Sequence, residues 1–168
     1  LEHWQKIADE KYPNGLPKPY SDDPTQWLFH GHPIKADNPL QVATARLLGY
    51  RWPAESDEDM ELADEAKILI EEVKSFDSFT DDDGIFCIPS VNAEQAGADR
   101  LRTFLQAVFG ADYNNKTINE LLEKEGAKAS NLEDWFRNEF FIQHCKVFGN
   151  RPFIWHIWDG RIDGFSAL

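Results

Sequence analysis

Acidic side chains are the residues with the clearest capacity for chemistry, and they are concentrated in one part of the chain. Between positions 55 and 83 there are thirteen Asp or Glu and two Lys, a net charge of −11 out of −13 for all 168 residues. Closely spaced carboxylates can hold a hard cation such as calcium. The run Asp81-Asp82-Asp83-Gly84 would place an EF-hand loop from Phe79 to Ser90, and neither end residue is the carboxylate that such a loop needs. The sequence therefore predicts a turn here and no metal site.

Two other patterns could ligate a metal, and both lack the necessary geometry. His30-Gly31-His32 offers two imidazoles without a third ligand nearby in the sequence. Glu65-Ala66-Lys67 and Glu72-Val73-Lys74 match half of a nuclease metal motif, which requires a strand so that positions two apart share one face. Both lie in a predicted helix, where positions two apart point about 200° from each other. We therefore predict no catalytic residue, no cofactor-binding residue and no metal ligand in this chain.

The elements that position these side chains are predicted to form a mainly α fold with a small β element, an α+β class. Apolar residues recur three and four positions apart, as amphipathic helices require. Short apolar runs predict a strand near 85–88 and the start of a β-hairpin at 153–168. One helix, at about 58–76, has an acidic outer face. The predicted helices cover about 1–12, Asn38–Leu48 with Asn38 as the N-cap, Glu58–Phe76, Arg100–Phe109, Thr117–Lys124 and Ser130–Phe148.

The last twenty residues contain the most distinctive pattern. Phe153–Trp158 is an apolar and aromatic run that predicts a buried strand, and Asp159–Gly164 supplies turn residues. Phe165–Leu168 then begins another apolar element. A strand without its partner would expose backbone and aromatic surface, so we interpret residues 1–168 as a single domain cut from a longer chain. The core is predicted to include Trp4, Trp135, Phe136, Phe140, Val147 and Trp155.

The basic residues leave one route for contact with nucleic acid. Outside the acidic segment there are seventeen acidic and fifteen basic residues, and a duplex binds through neutralisation of its phosphates. Arg151, Arg161 and Trp158 lie in or beside the C-terminal aromatic run and are the candidates for contact with a DNA backbone. The alternatives are that Arg151 binds carbonyls at a helix end, that Arg161 pairs with Asp159 or Asp163, and that Trp158 packs against the protein.

Composition also indicates where the protein works. No run approaches the roughly eighteen apolar residues of a membrane helix, and no signal peptide is visible. Cys87 and Cys145 lie far apart, which is typical of reduced thiols in a cytosolic protein. We predict a cytoplasmic protein without membrane association.

Two segments of the chain resemble a known family. Asn150–Leu168 contains Arg-Pro-Phe-Ile-Trp and Trp-Asp-Gly-Arg, and Gly15–Pro53 contains Trp-Leu-Phe-His-Gly-His-Pro and Leu-Leu-Gly-Tyr-Arg-Trp-Pro. Both segments are similar to parts of large bacterial restriction–modification methyltransferases, including single-chain type IIG-like enzymes and the adenine methyltransferases of phage-defence islands. The resemblance implies a parent that transfers a methyl group from S-adenosylmethionine to adenine N6 in DNA. Whether such a parent also cleaves DNA is left open.

The resemblance does not include the catalytic signature of that family, Asn/Asp-Pro-Pro-Tyr/Phe, which holds a flipped adenine. Asn38-Pro39-Leu40 is the nearest match, and it lacks the second proline and the aromatic residue. The resemblance therefore implies a non-catalytic accessory or spacer domain that positions the target-recognition part relative to the catalytic core.

This interpretation also implies the partners. S-adenosylmethionine would bind the parent and no cofactor would bind this fragment. The partners would be the remaining domains and, through them, double-stranded DNA. The alternative is an acidic protein–protein interaction module that docks a basic partner, and an independent enzyme is a third possibility.

Overall fold

The computed structural model describes residues 2–11, 28–158, 160 and 164–168. This part of the chain contains seven α-helices and three β-strands. This confirms the predicted mainly α fold with a small β element, including the strand near 85–88 and the hairpin within 153–168. The helices are α1 (Glu2–Lys11), α2 (Pro39–Leu47), α3 (Asp64–Lys74), α4 (Gly97–Phe109), α5 (Thr117–Lys124), α6 (Leu132–Asn138) and α7 (Phe140–Val147), and the strands are β1 (Ile85–Cys87), β2 (Trp155–Ile157) and β3 (Phe165–Ala167).

The acidic helix is shorter than the sequence predicts, because it covers Asp64–Lys74 and not the whole of 58–76. Its missing first part is a turn in which the Asp57 carboxylate accepts a hydrogen bond from the Asp59 amide at 3.0 Å. Aspartate favours such local bonds, which compete with helix formation. At the other end α3 stops at Lys74, and a short 3-10 helix follows at Asp77–Phe79.

The prediction of a single helix over 130–148 is wrong, because the structure has two helices there, α6 and α7, separated at Glu139. The backbone of Glu139 leaves the helical region, with φ −127°. Its carboxylate accepts hydrogen bonds from the amides of Lys128 and Ala129 at 2.9 and 2.7 Å. The break changes the helical phase, so Val147 is 43% exposed against the prediction that it is a core residue, and His144 points inward instead.

The hydrophobic core lies between α2, α4, α5, α6, α7 and the sheet. Trp135, Phe136 and Phe140 are fully buried, as predicted, and their rings contact one another with centroids 5.0–5.5 Å apart. Aromatic side chains of this size supply much of the stability of a small core. The other large, fully buried side chains are Leu40, Leu47, Leu48, Phe86, Leu101, Phe104, Leu105, Leu132 and Ile154.

The three strands form one antiparallel sheet in the order β1-β3-β2, so β3 pairs on both sides. Alternation along the strands places Phe86, Ser166 and His156 on the face that meets the helices. The ring of Phe86 contacts Phe136 at 5.2 Å and also lies against the backbone of Gly97, at the start of α4. Glycine is required there, because a Cβ atom on Gly97 would overlap the Phe86 ring.

A buried carboxylate caps α2 in place of the residue that the sequence predicts. Asn38 makes no side-chain capping bond. Instead, Oε1 of Glu125 accepts hydrogen bonds from the amides of Leu40 and Gln41 at 2.7 and 3.2 Å. The burial of Glu125 raises its pKa to about 7, although the two amides favour the charged form.

A buried histidine connects this helix to the sheet. The side-chain amide of Gln41 donates to the carbonyl of Phe140 at 3.2 Å, and its Oε1 lies 3.1 Å from Nδ1 of His144. Nε2 of His144 accepts hydrogen bonds from the amides of Phe153 and Ile154, at 3.2 and 3.1 Å, immediately before β2. Since Nε2 accepts, Nδ1 carries the proton and the imidazole is neutral. Burial accordingly lowers the pKa of His144 to about 4.

The two buried groups make opposite contributions to the pH dependence of stability. The folded pKa of His144 is lowered from 6.5 to about 4, so its stabilising contribution is lost as the pH falls through that range. The folded pKa of Glu125 is raised from 4.5 to about 7, so its contribution is present below pH 4.5 and is lost as the pH rises toward 7. Between pH 4.5 and 6.5 the two effects partly cancel.

We predict that Glu125→Gln exposes the acid sensitivity caused by His144. The variant keeps the Oε1 acceptor for α2 but no longer titrates. Its free energy of unfolding should then fall by about 3 kcal/mol as the pH decreases from 6.5 to 4, the value of a shift of roughly 2.5 pH units. Urea unfolding at a series of pH values measures this. A profile parallel to that of the unsubstituted protein would contradict the assignment.

We also predict that Gly97→Ala destabilises the contact between α4 and the sheet. Overlap with the Phe86 ring should cost about 1–3 kcal/mol of unfolding free energy. Phe86→Leu in the same chain should recover part of that loss, because the smaller side chain relieves the overlap. Gln106→Ala, at an exposed position of the same helix, is the matched control and should change stability little.

Candidate functional site

The second face of the sheet is apolar, and in the part of the chain that is described three of its six residues are exposed and three are half-buried. The register places Ile85, Ala167 and Trp155 in one row across the three strands, and Cys87, Phe165 and Ile157 in the next. Trp155 is 53% exposed and Ile157 is 41% exposed. We call these six residues the open sheet face: Ile85, Cys87, Trp155, Ile157, Phe165 and Ala167.

The prediction that Phe153–Trp158 forms a buried strand is therefore wrong for most of the run. Ile154 is fully buried, but Trp155, which was expected in the core, is mainly exposed. The physical reason is that β2 is an edge strand of a sheet with one covered face. The indole of Trp155 keeps a lateral contact with the ring of Phe141 on α7, at 6.0 Å between centroids.

Two of the three candidate DNA contacts lie on either side of β2. Arg151 is exposed and precedes the strand, and its backbone amide donates to the carbonyl of Phe148 at 3.0 Å. Trp158 follows the strand and is 72% exposed. Arg161 lies outside the described residues. The structure thus brings Arg151 and Trp158 to the borders of one strand, and their contact with DNA stays a prediction.

The acidic turn at 81–83 leads directly into β1 and is held by hydrogen bonds of Asp81. Oδ1 of Asp81 accepts from the amides of Asp83 and Ile85 at 3.2 and 3.3 Å, and its other oxygen forms an ion pair with Arg100. These bonds engage Asp81 inside the fold, in agreement with the predicted turn. One carboxylate oxygen from each of Asp81, Asp82 and Asp83 lies within 4.8 Å of the other two.

Burial and hydrogen bonds shift the pKa values of Asp81 and Asp83 in opposite directions. Burial opposes the ionisation of Asp81, but its hydrogen bonds with Asp83 and Arg100 outweigh that effect and lower its pKa. The bond with Asp81 raises the pKa of Asp83. Asp82 and Asp83 are exposed at the end of the open sheet face that Ile85 forms.

The two histidines that could have formed a metal site do not converge. His30 is exposed, whereas His32 is 1% exposed. Nδ1 of His32 accepts from the amide of Ile34 at 3.2 Å, and Nε2 lies 3.4 Å from a carboxylate oxygen of Glu72. Burial lowers the pKa of His32, with a partly opposing effect of Glu72. This histidine fastens the segment before α2 to helix α3.

The Glu-x-Lys patterns lie on α3, as predicted, and their charged residues are exposed, although Glu72 also contacts the buried His32. Lys67 pairs with Asp64 at 3.1 Å and Lys74 pairs with Glu71 at 2.5 Å, both within the helix. The opposite side of α3 is buried around Phe29. The acidic helix is therefore an amphipathic surface helix. Its buried residues are Ala66, Ile70 and Val73.

An acidic hollow of about 440 Å³ lies between α3 and the preceding loop at 54–62. Met60, Leu62 and Ile70 supply its apolar part, and Asp57 and Glu58 are among its charged lining residues. Lys67 and Lys74 of α3 also line the hollow, so its four carboxylates face two ammonium groups and its net charge is −2. The sequence predicted the acidic surface but gave no sign of this hollow, which requires the loop at 54–62 to fold against the helix.

A buried arginine of α2, Arg46, was not predicted from the sequence. Arg46 is 3% exposed and forms an ion pair with Glu55 at 2.9 Å. It donates to the carbonyl of Gly31, and its guanidinium group lies 4.9 Å from the ring centre of Trp52. A buried charge is stable only when it is paired and hydrogen-bonded. This arginine holds the segment at 29–32 in place, and nothing in its local sequence distinguishes it from a surface arginine.

Among the described residues, no helix is long and apolar enough to cross a membrane. The chain matches no protein-family model, no curated protein and no solved structure.

Proposed function

We propose that this chain is a non-catalytic accessory domain of an adenine-specific, S-adenosylmethionine-dependent DNA methyltransferase, acting in restriction–modification or phage defence in the bacterial cytoplasm. It positions the target-recognition part relative to the catalytic core. One observation carries the proposal. The segment that resembles this family, Asn150–Leu168, supplies β2 and β3, and these are two of the three strands of the open sheet face.

A partly exposed apolar face is the expected surface of a domain that packs against another domain. Contiguous exposed apolar patches on soluble proteins commonly mark interaction sites. Charged residues are depleted at the centre of such interfaces, and aromatic residues are enriched. The open sheet face has both properties, because all six of its residues are uncharged and two, Trp155 and Phe165, are aromatic.

In this proposal the chemistry of methyl transfer belongs to the other parts of the enzyme. They bind S-adenosylmethionine and hold the flipped adenine. The contribution of the present chain is geometric. Arg151 and Trp158 border the strand that leads into the interface, where a basic and an aromatic side chain can touch the DNA backbone. Contacts of this type orient a protein on DNA without specifying sequence.

The alternative is an interaction module that docks a basic partner, and the hollow beside α3 favours it. That hollow is lined by apolar residues, by four carboxylates of the acidic segment and by two lysines of α3, so it keeps a net negative charge. The two functions differ in their response to salt. Docking through the hollow weakens as salt rises, because exposed charges are screened, whereas docking through the open sheet face depends mainly on apolar burial.

The first test is methyl transfer by the product of the complete gene that encodes this sequence. We expect transfer of labelled methyl groups from S-adenosylmethionine to adenine in duplex DNA. Trp155→Ser combined with Ile157→Ser should lower the rate by about 10- to 100-fold, because displaced parts lose catalytic alignment. Ile68→Ser, at an exposed position of α3, is the matched control and should retain activity. A product that transfers no methyl group, or a gene that encodes only these 168 residues, would contradict the proposal.

A second prediction concerns contact with DNA. In the complete gene product, Arg151→Ala should weaken binding to all duplexes similarly and reduce the slope of log affinity against log salt by about 1, the loss of roughly one phosphate contact. Titration of labelled duplex at several salt concentrations measures this slope. Lys128→Ala, an exposed lysine elsewhere on the chain, should leave it unchanged. An unchanged slope in Arg151→Ala would exclude the proposed contact.

A further inference from the structure

The open sheet face has a polarity that limits what can cover it. Its two rows are apolar across all three strands. The row that contains Ile85 ends, through Gly84, at the acidic turn 81–83. The amide of Ile85 donates to the carboxylate of Asp83 at 2.9 Å, so the turn is fixed to the end of β1. The surface is therefore apolar across the sheet and anionic at one end.

Among the described residues, ion pairing neutralises only part of the negative charge of the acidic turn. Arg100 pairs with Asp81, which is largely buried. Asp82 and Asp83 are exposed, and one carboxylate oxygen of each lies within 4.8 Å of one of Asp81. Carboxylates at this separation repel one another, and an approaching cation relieves the repulsion. The end of the sheet thus favours a basic group on whatever covers the face.

Charge also argues against two other occupants. A second copy would bring a molecule of net charge −13 against another of −13, and would place acidic turns near the same apolar surface. Like charges across an interface are unfavourable. Duplex DNA is excluded from this face because its phosphates would meet Asp82 and Asp83, and because an apolar sheet offers its backbone no donors. A protein surface with apolar and basic groups fits both parts of the face.

We infer that the open sheet face binds a protein surface that places apolar side chains over Trp155 and Ile157 and a lysine or arginine beside Asp82 and Asp83. This rests on the proposed function, since the partner is then a neighbouring part of the same methyltransferase. It adds the chemistry of that neighbour, which the proposed function does not specify. The apolar groups provide affinity, and the basic group fixes the direction in which the neighbour lies across the strands.

The experiment uses the 168-residue chain, labelled with ¹⁵N, and a synthetic amphipathic helical peptide with a leucine face and lysines at one end. Addition of the peptide should shift the amide signals of β1, β2 and β3. Asp82→Asn combined with Asp83→Asn should weaken binding by about tenfold. A matched peptide with glutamates in place of the lysines should bind at least as weakly. Trp155→Ser should abolish binding, and Ile68→Ser should leave it unchanged.

Several outcomes would overturn the inference. Equal binding of the lysine and glutamate peptides would exclude the basic group. Shifts confined to α3 would assign the peptide to the acidic hollow. Self-association of the chain, abolished by Trp155→Ser in light-scattering measurements, would assign the face to a second copy. If Trp155→Ser alters the circular dichroism spectrum, the milder Ile157→Thr replaces it, because threonine is compatible with a strand. Methyl transfer by the complete gene product remains a separate readout, so the inference can fail while the proposed function stands.

Discussion

The arrangement of this protein depends on one neutral imidazole in its interior. His144 is fully buried, and its two ring nitrogens face different parts of the fold. Nδ1 meets the side chain of Gln41 on α2, and Nε2 receives the two backbone amides that precede β2. A protonated imidazole has no acceptor, so charging it would leave both amides without a partner. The position of the sheet relative to the helices therefore depends on the same burial that keeps the ring neutral.

The sheet that His144 anchors has two different faces, one that packs against the helices and one that forms the open sheet face. Its covered face carries Phe86 into the aromatic core beside the polar residues Ser166 and His156, whereas its open face is apolar. An antiparallel sheet with one solvated face normally alternates apolar with polar residues. This one does not, because its open face carries Trp155, Ile157 and Phe165. In the proposed function, a neighbouring domain packs against this face.

The acidic segment contributes to this arrangement in two different places. Within α3 its charges are largely on the solvent side, and the lysines of that helix pair locally with its carboxylates. At 81–83 the carboxylates are instead tied into the start of β1 and stand at one end of the open face. Acidic residues thus form a solvated helix in one place and, in the other, a turn that adjoins the proposed interface.

Much of the fold follows from local patterns in the sequence. Apolar periodicity located the helices, and short β-branched and aromatic runs located the strands, because these signals act within a few residues. The same patterns failed where a distant residue intervenes. Glu125 replaces Asn38 as the cap of α2 across 85 positions, and the carboxylate of Glu139 breaks a predicted helix by turning back to an earlier loop.

The mainly α class, the acidic surface of α3 and the aromatic character of the C-terminal run all follow from local sequence patterns. Which side of that run faces solvent depends instead on how the folded chain packs. An apolar strand has the same sequence pattern whether one or both of its faces are covered. Burial is set by the number of layers packed on a sheet, and that number depends on contacts between distant segments. Trp135 and Trp155 therefore looked alike in the sequence, yet one lies in the core and the other on the open sheet face.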